Sequence, residues 1–297
     1  MDEIDEAIVE LLEVDGRLSH RAIAQGVGLS RSAVAVRVQR LISSGQVIVR
    51  GAVHPAVLGR GVQAHVSMVL NGPMEAAVSA ISARDDVPFL SLVSGPFGLV
   101  AELRAPTSHD IAAAIAVLRG LPGVASADTV SYTEVIRDVI GPVGEVRARV
   151  DDIDRALLVE LQNDGRASYV DLGAAVGLTS AGARRRVLAL TETGVVRVGA
   201  VVRQSGRDRQ SAMGIGVRLA GGDDGVTAAL AEMPAVIFLA RALGRYDLVA
   251  TVRTFSTTQL LEALDAVRGL PGVRAVESWT HLKIVKEDYA SGMTPNA

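Results

Sequence analysis

Residues 30–40 read Ser-Arg-Ser-Ala-Val-Ala-Val-Arg-Val-Gln-Arg, hydroxyl, amide and guanidinium groups strung between small apolar residues. Wound as a helix capped by Ser30, the stretch puts Val34, Val38 and Leu41 on one face. Ser32, Val36 and Gln39 then lie on the opposite face, flanked by Ala33 and Arg40. Ser32 and Gln39 can hydrogen-bond base edges, and Ala33 or Val36 can meet a thymine methyl. Arg21, Arg31 and Arg37 fall towards the flanks, where backbone phosphates are the expected partners. A second stretch of the same kind begins at Thr179 and Ser180, with Ala183, Val187 and Leu190 on its apolar face. Its outward side offers Ala181, Arg184, Arg185 and Leu188, with Arg186 adjoining. For each arginine the competing reading is a solvated surface charge.

A different chemistry is offered by Gly244-Arg245-Tyr246-Asp247. A free amino acid presents a carboxylate and an ammonium. A tight turn can meet the first with backbone N–H groups and the second with the Asp247 carboxylate. Gly and Asp also suit a turn with no ligand at all. The equivalent turn earlier in the chain, Gly95-Pro96-Phe97-Gly98, has no carboxylate, so the second turn is the expected sensor and the first is expected to be structural.

Catalytic and metal chemistry find no footing. The chain has no cysteine, and His20, His54, His65, His109 and His281 are scattered with no metal-like or dyad spacing. No P-loop, H-E-x-x-H or G-x-S-x-G pattern is present. The expectation is therefore no catalytic residue, no metal and no cofactor.

The elements that carry these groups occur twice. Shifting the sequence by 149 residues lays Asp2-Glu3-Ile4-Asp5 on Asp151-Asp152-Ile153-Asp154 and Asp15-Gly16-Arg17 on Asp164-Gly165-Arg166. The same shift lays Val27-Gly28-Leu29 on Val176-Gly177-Leu178, and residues 119–124 on residues 268–273, both Arg-Gly-Leu-Pro-Gly-Val. One repeat of this length is a duplicated unit and not a solenoid. Each unit begins with a helix whose acids suit its N-terminus. A short helix, a turn at Gly28 and the helix from Ser30 follow, which together read as a helix-turn-helix. Val47-Ile48-Val49 is a short strand, expected to act as a wing or a hinge. Beyond it the apolar periodicity alternates strand and helix as βαββαβ, the split βαβ of a ferredoxin-like sandwich with one sheet face left free.

The fold class is thus α+β: two tandem units, each a helix-turn-helix (winged-helix-like) DNA-binding domain followed by a βαββαβ ferredoxin-like domain. The expected domains are 1–57, 58–140, a linker at 141–149, 150–205, 206–290 and a flexible tail at 291–297. The chain has 297 residues, 49% of them hydrophobic, which allows several cores. Its net charge of −3 hides local segregation, because residues 16–74 hold Arg17, Arg21, Arg31, Arg37, Arg40, Arg50 and Arg60 and no acid. No run is long enough to span a bilayer and the first residues resemble no secretory signal. A cytoplasmic protein without membrane contact is expected.

With these residues in that order, the chain resembles the Lrp/AsnC (leucine-responsive, feast/famine) transcriptional regulators. The resemblance rests on Ile4-Asp5, Asp15-Gly16-Arg17, Gly28-Leu29-Ser30, Arg37, Leu41 and Gly45, and on Gly244, Tyr246, Asp247 and Leu270-Pro271-Gly272-Val273. It implies double-stranded DNA as partner of the first module, and amino-acid sensing with homo-oligomer formation by the second. It departs from the family in carrying two units per chain and in having Gly98 where the motif wants Asp. Two units in one chain are expected to form an intramolecular pseudo-dimer, with chains then associating through their ferredoxin-like sheets. A sirohaem-decarboxylase-like tetrapyrrole enzyme on the same fold is the alternative, and an assembly module that has lost DNA binding is a third.

Overall fold

The computed structural model of the chain describes residues 1–146, 148–202, 211–222 and 225–289. The expected boundary at 205/206 and the tail at 291–297 lie outside the described residues. The first repeat runs α1 (Glu3–Val14), α2 (His20–Val27), α3 (Arg31–Ser43), β1 (Val47–Val53), β2 (Val62–Leu70), α4 (Glu75–Ser82), β3 (Phe89–Ser94), β4 (Leu99–Ala105), α5 (Ser108–Arg119) and β5 (Val124–Arg137). The second runs α6 (Asp152–Asn163), α7 (Tyr169–Val176), α8 (Ser180–Glu192), β6 (Val196–Val202), β7 (Ser211–Leu219), α9 (Val226–Glu232), β8 (Val236–Leu243), β9 (Leu248–Thr254), α10 (Thr257–Arg268) and β10 (Val273–Glu287).

The described residues gather into two compact bodies, and each body takes material from both repeats. One lies within residues 1–58 and 140–202, the other within 59–139 and 211–289.

In the first body the two helix-turn-helix modules share one apolar core. Ile8, Leu12, Ile23, Val34, Val38 and Leu41 of the first join Leu157, Leu158, Leu161, Leu172, Val187 and Leu190 of the second in a single cluster. β1 and β6 pair antiparallel from Val47↔Val202 to Val53↔Val196. Arg50 lies opposite Gly199, its own counterpart one repeat later, so the ribbon straddles a two-fold pseudo-axis. The strand expected at Val47–Val49 as a wing or hinge is neither. It extends to Val53 because β6 supplies a partner for its backbone, and a strand bonded on one side by a second strand buries Val47, Val49 and Val53.

The second body joins two ferredoxin-like sheets. Among the described residues eight strands close into a barrel in the order β10-β3-β4-β2-β5-β8-β9-β7. Closure comes from two overlong strands. β5 pairs β2 along its first half and then crosses to β8, and β10 pairs β7 and then crosses to β3. The crossings are equivalent: Ser131↔Leu243 in one is Thr280↔Ser94 in the other, 149 residues on, and both carry their bulges at matching places. Helices α4 and α5 cover one outer face through Ala77, Ile81, Ile111 and Leu118. α9 and α10 cover the other through Val226, Leu230, Leu260 and Leu264.

The inner faces meet in a lumen lined by Phe89, Phe97, Tyr132, Phe238, Tyr246 and Trp279. The expectation that chains associate through free sheet faces therefore fails. Those faces are turned inward against the other repeat, and among the described residues closure leaves the sheets no unpaired edge.

The lumen is not two-fold symmetric. At the positions of His65 and Ser67, the second repeat has Gly214 and Gly216. A Cβ there would lie 2.1 Å from the Trp279 ring and 2.5 Å from the Tyr246 ring, so the two large rings require glycine beneath them. His65 Nε2 is 2.9 Å from Ser67 Oγ and its ring lies tilted against Trp279, centroids 5.2 Å apart. His281 Nδ1 is 3.0 Å from Ser91 Oγ. Burial holds both imidazoles neutral, His65 pulled down to about 3 and His281 to about 4. Arg104 is buried with Glu102 and Asp138, 2.5 and 3.4 Å away, and lies 5.0 Å beneath the Tyr289 ring.

Both histidines titrate lower when folded than when unfolded, so their contribution is complete above an unfolded value near 6.5 and is lost as pH falls below it. Each should cost up to about 2 kcal/mol of stability between pH 7 and pH 5. Urea unfolding at the two pH values should show a smaller fall for the His65→Gln, His281→Gln double variant than for the parent. Equal falls would contradict the buried, neutral imidazoles.

Candidate nucleic-acid interface

Each recognition helix is set by the same local devices. Ser30 caps α3 by accepting the Ala33 N–H at 3.2 Å, and Thr179 caps α8 by accepting the Gly182 N–H at 3.2 Å. Gly28 and Gly177 end the preceding helices in the left-handed region, at φ 70° in both, where a side chain would be strained. Leu29 N–H then bonds Ala24 C=O, and Leu178 N–H bonds Gly173 C=O, fixing both turns.

On α3 the structure exposes Arg31, Ser32, Val36, Gln39 and Arg40, with Ala33 half-buried. On α8 it exposes Ser180, Ala181, Arg184, Arg185 and Leu188. Arg21 is exposed on α2. Arg21, Arg31, Arg184 and Arg185 make no ion pair or side-chain hydrogen bond among the described residues. They are free to meet phosphate or base.

The remaining arginines are not free. Arg37 Nη1 binds Asp2 Oδ2 at 2.7 Å and Asp5 Oδ1 at 2.8 Å, and Arg40 Nη2 binds Asp5 Oδ2 at 2.5 Å. Arg186 Nη1 does the same in the second module, 2.8 Å from Asp151 Oδ2 and 2.8 Å from Asp154 Oδ1. The same aspartates form capping boxes at the starts of α1 and α6, so one carboxylate pair caps one helix and anchors another. The Arg37 hydrogen bond, with the Asp5 N–H, holds the Asp2 carboxyl below its ordinary range. The Asp154 N–H and then Arg186 do so for Asp151. Arg37 and Arg186, expected to contact DNA, are instead the ties that fix each recognition helix against the first helix of its module. The acid-free stretch 16–74 is thus neutralised in part by Asp2 and Asp5, distant in sequence and adjacent in space.

Arg17 and Arg166 serve the seam between modules. Arg17 Nη1 and Nη2 donate to Gly165 O at 2.6 Å and Ala167 O at 2.9 Å. Arg166 donates to Gly16 O at 2.5 Å and Leu18 O at 3.3 Å. Gly16 N–H bonds Val198 O and Gly165 N–H bonds Val49 O. A Cβ on Gly165 would stand 2.7 Å from Val198 Cγ1 and 3.0 Å from the Arg50 backbone, so the close approach needs glycine. Sequence reasoning missed this role of Gly16; its recurrence as Asp-Gly-Arg was the available signal.

In the other body, the effector hairpin is already engaged. Asp247 Oδ2 accepts the Leu219 N–H at 2.7 Å. Arg245 pairs with Asp128 at 3.3 Å and Glu277 at 2.9 Å, and lies over the Phe97 and Tyr246 rings. Gly244 has φ 144°, a glycine conformation. Tyr246 is fully buried on Gly216, and burial pushes its hydroxyl up. It was expected to touch the effector and is instead a wall of the lumen. At Gly98 a Cβ would meet the Leu70 side chain at 2.9 Å, and the position offers no carboxylate.

Fold and exposed surface define a class: a two-headed helix-turn-helix protein whose paired heads and dimer-like barrel are one polypeptide. Residues 1–42 and 150–191 each match the AsnC-type helix-turn-helix domain, and residues 223–294 match the AsnC-type C-terminal dimeric alpha+beta barrel domain. The chain belongs to the Lrp/AsnC family, with its unit duplicated in tandem.

It is 29% identical over 144 residues to the HTH-type transcriptional regulator FL11 of Pyrococcus horikoshii, an alignment covering 48% of this chain and 95% of that one. It is 28% identical to the HTH-type transcriptional regulator Rv2324 of Mycobacterium tuberculosis, over 44% of this chain and 90% of that one. One whole relative thus corresponds to about half of this chain. The siroheme decarboxylase NirDL superposes over 96% of this chain and 93% of its own with a TM-score of 0.63, at 15% identity, a likeness of fold. No helix among the described residues is long and apolar enough to cross a membrane.

The free and the tied arginines should separate experimentally. Arg31→Ala and Arg184→Ala should each lower the slope of log affinity against log salt by about 1, with unfolding free energy unchanged. Arg186→Ala should lower stability in urea and leave that slope nearly as it was. A salt slope altered equally by all three would contradict the division.

Proposed function

We propose that this chain is a sequence-specific DNA-binding transcriptional regulator, that one molecule engages both halves of an operator, and that a small effector, an amino acid, modulates it. The observation that carries the DNA reading is the pair of exposed helices α3 and α8. Each is tied down by an arginine on its inner side; outside, α3 bears unpaired Arg31 and α8 bears unpaired Arg184 and Arg185, beside exposed polar groups. Regulators are also what the curated relatives are.

The effector site we propose is the rim of the Gly244–Asp247 hairpin. Asp247 is exposed and keeps one oxygen beyond its bond to Leu219, which suits an ammonium. Arg245 is half-exposed, and its carboxylate partners are surface groups that a ligand carboxylate can replace. Tyr246 supports the loop from beneath.

We read the chain as a binding protein and not as an enzyme. A tetrapyrrole bears several carboxylates and calls for free cations. Arg104, buried at the lumen, is held by two equally buried carboxylates, Glu102 and Asp138. The two lumen imidazoles are neutral, and each has one ring nitrogen bonded to a serine.

Calorimetry with a panel of free amino acids should detect binding that Asp247→Ala lowers at least about tenfold, which is about 1.4 kcal/mol. A gel shift on the protein's own upstream region should change when that amino acid is added. Unaltered affinity in Asp247→Ala, or a tetrapyrrole absorbance band in the purified protein, would overturn this assignment.

A further inference from the structure

The two heads are held by one pseudo-axis but do not carry the same chemistry. We infer that the operator is asymmetric and that the chain lies on it in a single orientation, with a guanine read by Arg185 in one half-site and a thymine or adenine read by Val36 and Gln39 in the other. The inference rests on the DNA-binding reading above and specifies its substrate.

The β1–β6 ribbon pairs Arg50 with Gly199, its own counterpart, so a position on α3 and the position 149 residues later on α8 occupy equivalent places in the two half-sites. At one such place stand Val36, 70% exposed, and Arg185, also exposed. An isopropyl group offers no hydrogen bond and fits a thymine methyl, whereas a guanidinium grips guanine O6 and N7 together. One turn on, Gln39 faces Leu188, both exposed. Gln suits adenine N6 and N7, and Leu suits a thymine methyl. At the helix starts Arg31 corresponds to Ser180, so phosphate contacts differ as well.

A pair of identical chains would carry identical heads and would favour a palindrome, which has no direction. Here the two heads are covalently distinct. Reversing the protein on its site would set Val36 over the guanine and Arg185 over a methyl, losing at least one bidentate contact. The reversed orientation should be weaker by about tenfold or more. A regulator bound in one direction presents a given face to a given side of the operator.

The test is selection of the full chain against a duplex library with a randomised core, followed by the same selection with Val36→Arg. The changed position is exposed, and urea unfolding of the variant checks that it is folded. The parent should enrich a site with two unlike half-sites, about one helical turn or a multiple apart. Val36→Arg should enrich a second guanine at the mirrored position and bind the resulting symmetric site at least about tenfold more tightly than the parent does. A palindrome enriched by the parent, or no new guanine with the folded variant, would overturn the inference while leaving DNA binding intact. No enrichment of any sequence by the parent would overturn the DNA reading itself.

Discussion

The antiparallel ribbon of β1 and β6 is the constraint on which the reading heads depend. A two-stranded ribbon is only marginally stable alone. This one persists because it lies in the middle of a core to which both modules contribute, and because Arg17 and Arg166 stitch the flanking loops reciprocally. The approach is close enough that Gly16, Gly51, Gly165 and Gly199 all border backbone or core side chains that a Cβ would crowd. With the ribbon fixed, both first helices are fixed, and the Asp2–Arg37 and Asp151–Arg186 ties carry that order to the recognition helices. Rigidity of that kind prepares the DNA-facing surface before DNA arrives.

The barrel solves the same problem in the second body with different chemistry. A ferredoxin-like sheet covered by helices on one side leaves an apolar face and two edges to be buried. Here the second repeat supplies the cover, and the strand tails of β5 and β10 supply the edges. Duplication then freed the two halves to differ. His65 and Ser67 stand where glycines make room for Tyr246 and Trp279, and Gly98 stands where the other hairpin has Asp247. Such divergence is available to a covalent pair and denied to a pair of identical chains.

Much of the architecture was legible in the sequence. The period of Val34, Val38 and Leu41, the left-handed glycines and the repeat of Asp-Gly-Arg and Leu-Pro-Gly-Val mark elements whose local preferences agree with the fold. Cross-repeat pairing was not legible from strand pattern. Val47-Ile48-Val49 is apolar whether it becomes a wing or a seam, and Arg50-Gly51-Ala52 breaks the run that actually continues to Val53. Nor could spacing reveal that Arg37 and Arg40 meet Asp5, more than thirty residues earlier. The surplus of arginine over acid in residues 16–74 overstated the free charge, because tertiary contacts bring the acids back. Burial of Tyr246 was hidden for the same reason: its pocket is made by Gly216 and Trp279, residues of other strands.

The central claim is that the two repeats pair within one chain. The chain has no cysteine, so Ile48→Cys with Val201→Cys places one reporter pair across the ribbon, at residues that lie opposite each other. Oxidation or a short bis-maleimide at nanomolar protein, followed by denaturing electrophoresis, then reads the pairing directly. The structure predicts an intrachain product that runs at or below the mobility range of a single chain's mass, with a yield independent of protein concentration. A cross-linked band of two chains, rising with concentration, would contradict it.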